Sequence, residues 1–309
     1  MKNHPSLTFV AILLLNASCA NLALSVLAAE APPVKHKPQE ELKRARELLA
    51  RNKSVSAKIV ETVSILDHSF KAEGQYLQGN LDQNDHRVRL ELKLKVGDTQ
   101  GTLLEVCDGT ILWTRHEIAK EPTITRRNVQ QILDAARQNG SVPENVLVAD
   151  MGLGGMPALL AALERALNFT GLKIDTLRER PVYVIQGSWK PAYLARWQAP
   201  PAPGTAPAPL PPYVPDLVRL YLDQETGFPI RVMYLKKIVD RELLKPMLTL
   251  DFIDVVLDQP VDQTVFEFKP PDRPPPIEVT PTYLNQLAPG QPLAPPTAPT
   301  APAAPPKAP

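Results

Sequence analysis

His86-Arg-Val-Arg-Leu-Glu-Leu-Lys-Leu-Lys-Val96 alternates apolar and charged residues along its whole length. Successive side chains of a strand point to opposite faces, so this stretch predicts an antiparallel strand with one face in water and one in a core. Asp108-Gly109, between two further apolar runs, is a strong hairpin signal. Strands are predicted near 55–66, 69–80, 86–96, 100–107 and 110–117, and again near 169–179, 182–190, 216–223, 228–239, 247–257 and 265–268.

Three segments have helical spacing instead. They cover about 39–51, 126–138 and 157–167, and the second and third separate the early strands from the late ones. Strands and helices do not alternate, which disfavours a parallel βαβ sheet. The order of elements predicts a mainly β chain of the α+β class, with eleven strands in one large, curved antiparallel sheet that the helices cover.

Proline marks the boundaries of this folded region. Of the 35 prolines, eight lie in 200–215 and fifteen in 270–309. Each proline removes a backbone donor, so 199–212 is predicted to be an extended loop inserted in the domain rather than a strand. We therefore expect a linker at 29–38, a folded domain at 39–271 and a disordered Pro/Ala-rich tail at 272–309.

Residues 1–28 have the form of an export signal. Lys2 precedes an apolar run from Leu7 to Leu15, and small residues follow. Cleavage after Ala28 predicts a periplasmic protein. Leu15-Asn-Ala-Ser-Cys19 is a degraded lipobox, and lipidation of Cys19 would instead give a membrane-anchored lipoprotein. Both interpretations stay open.

No motif for catalysis, metal binding or a cofactor stands out. The five histidines lack metal-ligand spacing, and no nucleophile motif is present, so neither an enzyme nor a metalloprotein is expected. A net charge of +1 argues against nucleic acid as a partner. Cys107 is interpreted as a small buried hydrophobe, Arg126 and Arg127 as the exposed start of a helix, and the glycines before residue 157 as a hinge.

Four stretches resemble the periplasmic carriers of outer-membrane lipoproteins of the LolA/LolB type. They are the strand Ser54–Leu66, the hairpin Val106–Trp113, the hairpin Leu217–Arg231 with its Thr-Gly turn, and the closing segments between Thr249 and Pro270. The resemblance covers about 40–271. It implies an incomplete eleven-stranded antiparallel β-barrel under a helical lid.

The resemblance also implies a function. A member of this family would be a monomeric binder of lipoprotein acyl chains or other lipid, and membrane-bound donor and acceptor proteins would be its partners. The apolar face could equally be plain core, and the anchored interaction module and an enzyme with a lipid-like substrate remain as alternatives. Residues expected to line a lipid cavity are Leu90, Leu92, Leu94, Trp113, Ile132, Leu133, Leu159, Leu160 and Leu163.

Overall fold

The computed structural model describes residues 36–65, 68–80, 86–96, 99–118, 121–139, 154–195, 208–238 and 243–287. The predicted signal peptide with Cys19, most of the proline-rich loop and the chain after 287 lie outside these residues. The elements in chain order are α1 (Pro38–Leu49), β1 (Ser54–Ile65), β2 (His68–Asn80), β3 (His86–Val96), β4 (Thr99–Cys107), β5 (Ile111–Ile118), β6 (Glu121–Asn128), α2 (Val129–Gln138), α3 (Gly155–Ala166), β7 (Leu167–Leu177), β8 (Arg180–Trp189), α4 (Pro191–Leu194), β9 (Leu217–Asp223), β10 (Pro229–Ile238), β11 (Leu243–Leu257), a 3₁₀ helix (Gln263–Phe266), β12 (Ile277–Glu278) and α5 (Thr280–Leu287).

The twelve described strands form one sheet. Its order is β12-β6-β5-β4-β3-β2-β1-β11-β10-β9-β8-β7, and every pair is antiparallel except β12 with β6. The first strand pairs with β11, which joins the early meander to the late one. The two ends of the sheet are not paired with each other, so the fold is an incomplete barrel with helices, as predicted.

Helices cover one side of this sheet, which we call the front face. On β3 the front face carries Val88, Leu90 and Leu92, all buried, while Arg89 and Glu91 form an ion pair on the opposite, back face. The apolar sides of α1, α2 and α3 belong to the same hydrophobic cluster as the front-face strand residues. The core therefore lies between the sheet and the helical layer.

The mainly β class and the large antiparallel sheet are confirmed, but the described sheet has twelve strands rather than eleven, because β6 and β12 were not predicted. Two predicted elements were wrong. The helix expected from 126 begins only at Val129, because Glu121–Asn128 pairs with β5 as a strand and the Asn128 side chain accepts a hydrogen bond from the Gln131 backbone N–H at 2.9 Å. The strand expected at 265–268 is a 3₁₀ turn, in which Asp262 accepts a hydrogen bond from the Thr264 N–H.

The C-terminal part of the described chain is also built into the fold. Residues 277–287 lie within the stretch assigned to a disordered tail, yet they form β12 and α5. The Thr280 hydroxyl accepts a hydrogen bond from the Asn128 N–H at 2.7 Å, and Leu287 is buried in the main cluster. This segment fixes the junction between β6 and α2.

Candidate functional site

The helical layer fills the front face of the sheet. Helix α3 is the most deeply buried helix of the layer, with Met156, Leu159, Leu160 and Leu163 exposed by 1% or less. Six of the residues predicted to line a lipid cavity meet in this interface as one packed cluster. They are Leu90, Leu92, Ile132, Leu159, Leu160 and Leu163.

The other three predicted lining residues lie elsewhere. Leu94 is half-buried outside that cluster, and Leu133 is half-buried at its edge, where it packs against the cluster and also lines the outer side of α2. Trp113 points to the back face, because its neighbour Leu112 faces the helices, and its ring lies 5.6 Å from that of Phe268. The structure therefore separates Trp113 from the helices with which the sequence grouped it.

A groove of about 530 Å³ runs along the outer side of the helical layer. Helices α1 and α2 form its walls, and the side of α3 that faces away from the sheet forms its base. Its volume falls within the range of about 300–1,000 Å³ that small-molecule sites occupy. We call the following residues the apolar floor: Val129, Leu133, Pro157, Ala158 and Ala161.

Positive side chains surround this floor, and we call Lys43, Arg46, Arg137 and Arg165 the basic rim. Glu47 is the one acidic residue among the described residues that line the groove. The four cations come from three different helices, so the fold, rather than a local sequence run, brings them together.

Sequence reasoning missed the groove. The signal was present in α3, where Pro157, Ala158, Ala161 and Arg165 follow one another at helical spacing opposite the leucines. Small residues on the outer side of a helix look like ordinary surface, however, until neighbouring helices are placed on both sides of them.

A polar anchor holds the beginning of α3 against the sheet. The Met156 N–H donates to the Tyr76 hydroxyl at 3.1 Å and to Gln78 Oε1 at 3.2 Å, and the Tyr76 hydroxyl donates to the same Gln78 oxygen at 2.6 Å. Gly155 has φ +68°, and a Cβ there would lie 2.6 Å from Gln78 Oε1. Gly155 thus allows a close approach of α3 to β2, and the first turn of α3 packs against that strand.

A buried ion pair stabilises the other end of the layer, next to α2. Arg127 lies 3.5 Å from Glu105, and both side chains are less than 10% exposed. The Arg127 guanidinium also donates to the Tyr283 hydroxyl and lies 4.7 Å from the Tyr283 ring. The interpretation of Arg127 as exposed surface was therefore wrong, because its side chain lies on the front face of β6, beside the buried Leu112 of β5. Its neighbour Arg126 is exposed and pairs with Glu278 at 2.9 Å.

Other reactive groups do not form a second centre in the described residues. Cys107 is a free, buried thiol, and burial raises its pKa to about 12. Among the described residues, no group of three or more His, Cys, Asp or Glu side chains could hold a metal ion. No described helix is both long enough and apolar enough to cross a membrane.

Neither a protein-family model nor a curated protein sequence matches this chain. Similar solved structures include LprF from Mycobacterium bovis, with a TM-score of 0.36, 13% identity, and coverage of 73% of this chain and 94% of that chain. A domain from Vibrio parahaemolyticus assigned to the outer-membrane lipoprotein-sorting proteins has a TM-score of 0.31 and 12% identity, over 75% of this chain and 97% of that one.

The Pseudomonas aeruginosa MucA/MucB complex is similar at a TM-score of 0.35 and 12% identity, over 75% of this chain. There the match spans only 61% of the length of the other chain. A lipoprotein-sorting domain is thus among the structures similar to this chain. At sequence identities of 12–13% the similarity concerns the backbone fold alone.

Proposed function

We propose that this chain is a non-enzymatic binding protein that carries a lipid acyl chain in the cell envelope. The observation that supports this most directly is the groove over α3, with its apolar floor between two flanking helices. The export signal predicted for residues 1–28 supports a periplasmic location.

The apolar floor suits an acyl chain energetically. Each methylene that moves from water onto such a surface contributes about 0.8 kcal/mol when fully buried, so a chain of ten or so methylenes could gain several kcal/mol even if half-covered. Small side chains at Ala158 and Ala161 leave the space that such a chain needs. Affinity of this kind depends on apolar area and requires no single specific contact.

The packed leucines beneath α3 form the second part of the proposal. A longer chain could insert between α3 and the sheet if the helical layer moved away, and it would then replace the contacts of Leu159, Leu160 and Leu163. Exposing three leucines costs about 1.5–3 kcal/mol each, which burial of about ten methylenes would offset. Under this proposal, the groove is where the chain enters and the leucine layer is the interior site.

The first experiment asks whether the protein carries lipid at all. The full chain is expressed through its own signal, purified without detergent, and examined by native mass spectrometry and by organic extraction. We expect a bound species of acyl-lipid mass that extraction removes. Protein that is free of lipid, and that also fails to bind a fluorescent fatty-acyl probe saturably, would refute the proposal.

The second experiment locates the site. Ala161→Trp places a large side chain on the apolar floor at a half-buried position, so we expect it to weaken binding of the acyl probe at least tenfold while the protein remains folded. Ala192→Trp, at an exposed position of α4, is the matched control and should bind normally. Equal binding by the two variants would exclude the groove as the site.

The lipobox-like sequence at Cys19 supports one alternative, an anchored lipoprotein that binds other proteins through its surface. Detergent partitioning of the native protein that is lost in Cys19→Ala would favour this alternative. A soluble form that begins near residue 29 would exclude it.

A further inference from the structure

The basic rim brings three guanidinium groups to one groove. Arg46 lies on α1, Arg137 on α2 and Arg165 on α3, and all three line the same cavity with Lys43. Like charges on separate elements repel one another, so their convergence is unfavourable unless something of opposite charge lies between them.

Three of the four cations already have a carboxylate partner. Arg46 pairs with Glu164, Arg137 lies 3.4 Å from Asp134, and Lys43 lies 3.8 Å from Glu47. Arg165 differs from them, since it forms no ion pair or hydrogen bond with any residue that the structure describes.

Arg165 is exposed to solvent at the groove, and two of the three charged groups that act on it are positive. Desolvation in the groove, followed by the positive charges of Arg46 and Arg137, lowers the pKa of Arg165, and only Glu164 acts in the opposite direction. A guanidinium group remains protonated at any physiological pH. An anion beside it would therefore restore favourable electrostatics at this point.

Arg165 lies four residues after Ala161, one helical turn from the apolar floor. A ligand that contacts both positions must have an anionic group within a few ångströms of an apolar chain. Guanidinium groups bind phosphate through two parallel hydrogen bonds, a geometry that lysine cannot reproduce.

We propose that the groove selects a single-chain phospholipid with a net negative headgroup, whose phosphate Arg165 binds while its acyl chain lies on the apolar floor. This inference rests on the proposed acyl-chain function and adds the class of headgroup. The groove would thus discriminate lipids by headgroup charge, which a purely apolar cavity cannot do.

The test compares two lipids with the same acyl chain, lysophosphatidylglycerol and lysophosphatidylcholine. Both contain a phosphodiester, but the quaternary ammonium of the second makes its headgroup neutral overall. The chain is short enough for titration below the critical micelle concentration, and binding to the full-length protein is measured by calorimetry. We expect the anionic lipid to bind on the order of tenfold more tightly, as one charge-assisted hydrogen bond provides.

Variants assign the preference to Arg165. Arg165→Gln should weaken the anionic lipid about tenfold, and Arg165→Lys should weaken it by an intermediate amount. The neutral lipid should lose clearly less in Arg165→Gln, because the other cations of the basic rim repel its quaternary ammonium and so oppose placing its phosphate beside Arg165. Lys93→Gln makes the same change of charge on the exposed back face and should alter neither lipid. Raising the salt concentration should weaken only the anionic lipid.

The outcomes separate the two proposals. Equal affinity for both lipids in the wild type, or an equal loss of both in Arg165→Gln, would overturn the inference about the headgroup and leave acyl-chain binding intact. If neither lipid binds to any variant or to the wild type, the proposed function itself fails.

Discussion

Gly227→Ala should strongly destabilise the protein, because this glycine lies where α1 crosses the β9–β10 turn. Gly227 has φ +70°, which costs an L-residue about 1–2 kcal/mol. A Cβ at this position would lie 2.8 Å from the Ala45 Cα and 3.2 Å from the Ala45 carbonyl oxygen. Ala45 is a buried residue of α1, so the new methyl group meets helix backbone that cannot rotate away.

The two effects act together. Overpacking of a well-packed interior costs typically about 1–3 kcal/mol, so the sum with the backbone penalty is about 2–5 kcal/mol. Asp223 holds the turn in place, since its Oδ1 accepts hydrogen bonds from the Thr226 N–H at 2.8 Å and the Thr226 hydroxyl at 2.9 Å. The turn therefore has little freedom to move away from α1.

Urea unfolding followed by circular dichroism measures the effect, with Gly171→Ala as the matched control. At Gly171 the nearest atom to a new Cβ is Gln186 Cβ at 3.8 Å, and the backbone lies outside the positive-φ region. The control should change the free energy of unfolding by less than about 1 kcal/mol. If Gly227→Ala were no less stable than Gly171→Ala, the packing of α1 on this turn would be disproved.

Three further predictions concern ionisable groups. Arg127→Met should lower the free energy of unfolding by about 3–5 kcal/mol, because it removes the cation that lies beside the buried Glu105 carboxylate. Adding Glu105→Gln should recover part of that loss. A double variant as unstable as the single one would contradict this prediction. Desolvation raises the pKa of Glu61 in the folded protein above its unfolded value of about 4.3. Protonated Glu61 therefore contributes to stability in full below the unfolded pKa, and this contribution is lost as pH rises through the folded pKa. Glu61→Gln should therefore be more stable than wild type in urea unfolding at pH 7, with the gap shrinking towards pH 4. The third prediction uses Cys19→Ala, so that Cys107 is the one thiol of the chain. Because burial raises the pKa of Cys107 to about 12, a thiol reagent at pH 8 should label it only as fast as the protein unfolds. Rapid stoichiometric labelling in native buffer would be inconsistent with its burial.

The parts of the fold that the sequence predicts well have strong local signals. Strand β3 alternates without a break, and Asp108 Oδ1 accepts hydrogen bonds from the Thr110 and Ile111 N–H groups, as the Asp-Gly turn suggested. Strand β6 had no such signal, because Ile124 is its one large aliphatic residue and Pro122 interrupts it. Its pairing with β5 depends on long-range structure.

The candidate site was harder to predict for a different reason. Alternation shows that a strand has two faces, but it cannot say which face the helices cover, so Trp113 was grouped with residues on the other side of the sheet. The basic rim depends on the relative placement of three helices. No spacing within Lys43–Glu47 indicates that these side chains will lie across a groove from Arg137.

The leucines of α3 and the groove outside it predict two rates of lipid binding. A chain that lies in the groove leaves Leu159, Leu160 and Leu163 in place, so its association requires no unfolding of the layer. Insertion beneath α3 must first break the Met156 anchor and expose those leucines, a cost of about 1.5–3 kcal/mol for each one. Stopped-flow mixing with an acyl probe should therefore show a fast phase that depends on probe concentration and a slow phase that does not. Tyr76→Phe removes the hydroxyl that accepts from the Met156 N–H, so it should accelerate only the slow phase. A single phase that is unaffected by this substitution would mean that lipid binds in the groove alone.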